Sequence, residues 1–173
     1  MAFSLYDVVV PPYLQTLGGV SRFLEHGLSH FQETGVDPNE VVPIGLLGDV
    51  QPFSFQIASI LHHSIGAIGA AKAGLFGPPV DQPDLSYSAL CGQVTDAIAA
   101  FAKLDPAELN ALEGGEVLLH VGDVKKSFVT EDFLTSFSRP NFYFHAVTAY
   151  QILRSRGVPL KKLEYLGEVR FKG

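Results

Sequence analysis

Two stretches of this 173-residue chain lack Asp, Glu, Lys and Arg but carry polar side chains in a regular pattern. In residues 50–71, Gln56, Ser59 and His63 fall at i, i+3 and i+7, which places them on one face of a helix. In residues 140–153, Asn141, His145 and Thr148 fall at i, i+4 and i+7. Helices without charge belong in the interior, where each polar group must be paired, hydrated or met by a ligand. Imidazole exchanges a proton near neutral pH, so His145 and His63 are the candidate acid/base groups, with Asn141 beside them to hold a developing oxyanion. Gln56, Ser59, His62 and Thr148 are candidate polar contacts to substrate. Phe53, Phe55, Phe137, Phe144, Tyr143 and Tyr150 are the expected apolar lining of one cavity, the two tyrosines reaching it only through a kink at Pro140. A polar core network that merely fixes helix register is the alternative.

The elements that must position these groups can be read from periodicity and breakers. Residues 4–33 carry apolar residues at helical spacing, with Pro11 and Pro12 expected to interrupt the first turns or to mark the true start. Asp37-Pro38-Asn39-Glu40 starts a short helix. Asp49 is a possible cap, with Pro52 in the first turn, for a single helix running to about Ala73. Residues 77–84 read as a loop. Ser86 or Ser88 starts a third helix, and Asp105-Pro106 a short one. Strands around Gly122-Asp123 form a hairpin. Thr130 caps a fourth long helix to Arg156, kinked or split at Pro140, and residues after about 158 form a partly ordered arm. The expectation is a mainly all-α, single-domain four-helix bundle over 1–173 with a small β-hairpin before the last long helix.

Composition narrows the function. Hydrophobic residues make up 47% and charged residues 17%, and 12 basic against 18 acidic residues give a net charge of −6, which argues against a nucleic-acid binder. The lone Cys91 excludes a disulfide scaffold and, with no basic leader and an acidic pI, fits the cytoplasm. Residues 50–71 could span a bilayer by length, but seven of those 22 residues are Gln, Ser or His, so no membrane span is expected. Six of the 12 basic residues lie from Arg154 onward. His26 and His30 share a helix face with Arg22 and Glu33, which reads as solvated surface rather than a metal site. No zinc, dinucleotide, P-loop or nucleophile-elbow motif occurs, so neither cofactor nor metal ligand is assigned.

The run Arg139-Pro140-Asn141-Phe142-Tyr143-Phe144-His145, followed by Thr148-Ala149-Tyr150-Gln151-Ile152-Leu153-Arg154 and Gly157-Val158-Pro159-Leu160, resembles the domain-of-unknown-function family DUF1993, within the DinB-like group of helical bundles. Leu17, Val20, Ser21, His30, Asp37-Pro38, Asp49, Pro52, Gln56, His63, Gly66 and Ala73-Gly74 extend the resemblance over nearly the whole chain. It implies a four-helix bundle, a homodimer and no settled activity. Many members of the wider group are metalloenzymes with histidines on the second and fourth helices, which correspond here to His63 and His145. Ala149 and Ser136 stand where further histidines would be needed, which argues against a three-histidine metal site.

The leading expectation is an enzyme without a redox cofactor, of isomerase, dehydratase or cyclase (including pericyclic) type, acting on a hydrophobic small molecule in specialised metabolism. The alternatives are a metal-dependent DinB-like transferase or isomerase, and a non-catalytic ligand-binding or scaffold bundle.

Overall fold

In a computed structural model, which describes residues 3–172, four long helical segments pack on one another, with a small three-stranded sheet beside them. Helix α1 (Leu5–Thr34) starts at a capping box between Ser4 and Asp7 and ends at Gly35 in the left-handed conformation. Pro11 and Pro12 neither interrupt nor begin it. Pro12 has no N–H to give the Val8 carbonyl four residues earlier, and the Arg139 guanidinium donates to that carbonyl instead at 3.0 Å. A distant side chain thus replaces the missing helix bond.

The second segment is two helices rather than one. Helix α2 (Phe53–His62) begins after Pro52 rather than at Asp49, and α3 (Ile65–Ala73) follows a break at His63 and Ser64. The Ser64 hydroxyl donates to the Ile60 carbonyl at 2.6 Å, taking the acceptor that its own backbone N–H would use in a continuing helix. Strand β1 (Leu75–Phe76) comes next, then α4 (Tyr87–Phe101), capped by Ser86, and the short α5 (Pro106–Asn110), capped by Asp105.

Strands β2 (Glu116–Val121) and β3 (Val124–Val129) form the hairpin, with Gly122 at positive φ in its turn. β1 adds to β2 in parallel, Leu75 opposite Leu118. The last long segment runs from α6 (Thr130–Asp132) through a π-helical stretch at residues 133–138 into α7 (Arg139–Ser155). The irregularity falls just ahead of Pro140, whose ring and missing N–H oppose a regular bond to the Ser136 carbonyl.

The core joins these elements through aromatic contacts. Tyr13 of α1 stacks on Phe101 of α4 and meets Phe142 of α7 edge-on, and all three are fully buried. Packing α2 along α7 brings the two uncharged spans together. Among the described residues, no helix is long and apolar enough to cross a membrane.

The C-terminal segment is a docked element rather than a partly ordered arm. Helix α8 (Lys162–Leu166) lies on α1, where the Gln15 side chain donates to the Leu166 carbonyl at 3.0 Å and His26 pairs with Glu164. Close approach requires Gly19, since a Cβ there would sit 2.3 Å from the Tyr165 carbonyl oxygen, whereas one at Gly18 would meet nothing within 4 Å. Gly19→Ala is therefore expected to lift α8 and cost about 1–3 kcal/mol in denaturant unfolding. Gly18→Ala should be neutral, or stabilising by up to about 1 kcal/mol through helix propensity.

Candidate functional site

The polar stripes of α2 and α7 meet at Gln56 and His145. Its Nδ1 lies 2.8 Å from Gln56 Oε1, while the same amide's Nε2 donates to the Gln51 carbonyl at 2.8 Å. The second bond orients the amide, because only its nitrogen can donate to a carbonyl. Oε1 is left to accept from His145 Nδ1–H. The imidazole is thereby held in one tautomer, with its Nε2 lone pair unprotonated. Gln56 is buried and His145 half-buried.

His63 is the second imidazole. It lies at the α2–α3 break, is 5% exposed, and its ring centroid stands 5.9 Å from that of His145 at 13° between planes. The break frees its carbonyl, and Ser138 at the end of the π-helical stretch donates to that carbonyl at 2.9 Å. The Ser138 oxygen is 3.5 Å from His63 Nδ1. Phe76 and Phe137 pack on the His63 ring, and Phe55 and Phe144 on the His145 ring.

Burial in this aromatic surrounding disfavours the imidazolium of both residues. It holds His145 down to about 4, helped by the nearby His62. His63 is lowered to about 3 by burial first, then by the charges that His62 and His145 would carry. Both rings are neutral at pH 7.

The other candidate residues separate into distinct environments. His62 is turned aside: its Nε2 meets the Gly77 carbonyl at 2.8 Å and its ring lies on Phe76, with centroids 4.2 Å apart. Asn141 donates to the Phe137 carbonyl at 2.8 Å and Thr148 to the Phe144 carbonyl at 2.8 Å, each one turn back on its own strand of helix. Ser59 is fully buried, and its hydroxyl has no hydrogen-bond partner among the described residues.

The expected shared aromatic lining is corrected. Phe53 stacks on Tyr87, with centroids 5.7 Å apart, on another side of α2. Tyr150 packs on Phe23 and Tyr165 and donates to the Leu160 carbonyl, and Tyr143 packs against Phe142. Helix α7 is regular past Pro140, so no kink swings the tyrosines toward the imidazoles. Of the six rings, only Phe55, Phe137 and Phe144 touch the histidine pair.

Three contributors escaped sequence reading. Phe76 sits in a two-residue strand too short to show alternation, although the breakers Gly74 and Gly77-Pro78 bracket it. Phe133 packs behind it. Ser138 carries a faint signal, its place two residues before Pro140. Cys91 reads as packing, since burial and the nearby Glu25 push its thiol up to about 11.

The model of the family described as "Domain of unknown function (DUF1993)" matches residues 5–166. The chain belongs to the DUF1993 family. No curated protein matches it. Among solved structures, a DinB family member protein from Shewanella denitrificans superposes with a TM-score of 0.81 at 19% identity, covering 98% of this chain and 95% of that one. At that identity the likeness concerns the fold, a DinB-like bundle.

The histidines of this DUF1993 chain do not make the donor set a resident divalent ion needs. Two imidazoles approach one another, His62 is committed to Gly77, and among the described residues no group of three or more His, Cys, Asp or Glu is placed to hold a metal.

Two predictions concern the pair. The unfolded chain takes up protons at His63 and His145 near the ordinary 6.5, whereas the folded chain does so only near 3 and 4. Stability is therefore full above about pH 6.5 and falls as pH drops toward 4. The slope is at most about 1.4 kcal/mol per pH unit for each imidazole. Thermal unfolding across that range checks this, and His145→Gln should flatten the slope. Ser138→Ala should cost about 1–3 kcal/mol at pH 7 by stranding the buried His63 carbonyl, measured by urea unfolding.

Proposed function

We propose that this protein is an enzyme without a redox cofactor that moves a proton on a hydrophobic small molecule, in an isomerisation, dehydration or cyclisation. The observation that carries the reading is the chain from the Gln51 carbonyl through the Gln56 amide to His145 Nδ1. It presents one unprotonated nitrogen, Nε2, in a fixed orientation beside Phe55 and Phe144, the latter 61% exposed. A partly open aromatic rim beside one directed polar atom suits an apolar substrate with a single acidic C–H or O–H.

A base with so low a proton affinity works when the substrate supplies compensation. Proton transfer to Nε2 creates imidazolium and enolate together, and each stabilises the other where water is scarce. Gln56 Oε1 would accept a stronger bond from the charged ring, adding to that stabilisation. His63, packed against His145, would limit the space on one side of the ring. Asn141 has one amide proton committed to its own helix, so its part in holding an oxyanion rests on the proton that remains. A homodimer belongs to the same reading, supported by the exposed Phe144 on α7.

One observation favours a non-catalytic bundle: Gln56 and His145 satisfy each other without a ligand. Deuterium incorporation separates the two. 2-Tetralone, an apolar ketone with acidic α-hydrogens, should exchange them in heavy water faster with the protein than in buffer, as followed by NMR. His145→Ala should remove the acceleration. Gln56→Leu should reduce it about 10- to 100-fold by releasing the tautomer. Exchange by His145→Ala at the wild-type rate would overturn the proposal.

A further inference from the structure

A second feature lies where α8 docks against α7, away from the histidine pair. Val147, Tyr150, Gln151, Arg154, Lys162 and Tyr165 line an open hollow of about 360 Å³. Its walls include two phenol rings, those of Tyr150 and Tyr165, with centroids 5.9 Å apart at 61°. Its charged groups are both cations. The Arg154 guanidinium carbon sits 5.8 Å from the centre of the Tyr150 ring, which braces the fork at the edge of the hollow.

Among the described residues, Arg154 and Lys162 have no carboxylate within ion-pair distance. The nearest acid in sequence, Glu164, is committed elsewhere, one oxygen to His26 and the other to the Lys161 backbone N–H at 2.6 Å. The surrounding segment is also the basic part of an acidic chain, with six of its 12 Lys and Arg residues from Arg154 onward. An aromatic-walled hollow with a planar five-donor guanidinium and an ammonium at one edge matches a flat apolar body that ends in a carboxylate.

We infer that the hollow between α7 and α8, walled by Tyr150 and Tyr165 and edged by Arg154 and Lys162, is a binding site for a small arylcarboxylate. The ring of the ligand lies in the hollow against Val147 and the Tyr165 ring. Its carboxylate takes paired N–H bonds from Arg154, and Lys162 adds a second positive charge. The site depends on α8 being docked, so occupancy also holds the C-terminal segment on the bundle.

The chain contains no Trp, so indole emission excited beyond tyrosine absorption reports a ligand alone. Indole-3-acetate titrated with wild-type protein should show a saturable rise in fluorescence anisotropy. Indole-3-ethanol, which keeps the ring and loses the charge, should bind at least about tenfold more weakly. Arg154→Met and Lys162→Met, which keep the apolar stems, should each weaken indole-3-acetate and leave indole-3-ethanol unchanged. His145→Ala should bind indole-3-acetate as wild type does, so this outcome is independent of proton transfer at the imidazole. Absence of saturable binding, equal binding of the two indoles, or undiminished indole-3-acetate binding by the Arg154→Met/Lys162→Met double variant would overturn the assignment. So would loss of binding in His145→Ala.

Discussion

The interior of this protein is organised by the pairing of Gln56 with His145. The two uncharged spans face each other where α2 packs along α7, and the polar atoms they bring there pair with one another or with nearby backbone carbonyls. A buried amide and a half-buried imidazole with good mutual geometry tie α2 to α7, because a shift by one turn would separate them. The same bond fixes which imidazole nitrogen carries the proton. Structure and chemistry therefore depend on one 2.8 Å contact.

The backbone around that contact is irregular, and its irregularities are satisfied by side chains. Helix α2 stops at His63, and the Ser64 hydroxyl and the Ser138 hydroxyl serve carbonyls that a continuous helix would have bonded internally. The π-helical stretch that supplies Ser138 stands against Pro140, and the residue between them, Arg139, reaches across to the Val8 carbonyl left free by Pro12. Each local break is thus satisfied by a side chain from another element. These substitutions bind α1, α2 and the π-helical stretch to one another, and they hold the aromatic wall of Phe76, Phe133 and Phe137 against His63.

A DinB-like bundle does not by itself specify a reaction, since function resides in the groups a fold presents. What this chain presents is neutral imidazole in aromatic surroundings, with no cluster of anionic donors beside it among the described residues. The proposed proton transfer from an apolar guest rests on that environment. The cationic hollow at α8 offers the opposite electrostatics on another side of α7. One helix therefore carries two chemically different faces.

Much of this was legible from residue types and spacing. The helical class, a serine start to α4 at Ser86 or Ser88, the Asp105 cap, the hairpin around Gly122, the facing of the two uncharged spans and the prominence of Gln56, His63 and His145 all follow from periodicity and from the cost of burying polar groups, which are local properties. Persistence of α1 through two prolines, the break at His63, the π-helical stretch and the docking of α8 were not legible, because each depends on a hydrogen bond or close approach to a residue far along the chain. Tertiary structure alone decided that Phe76 and Ser138 join the imidazoles while Tyr150 faces α8 and His62 turns to Gly77. A sequence determines which groups need partners; only the folded chain, by bringing distant segments within bonding distance, determines which partners they receive.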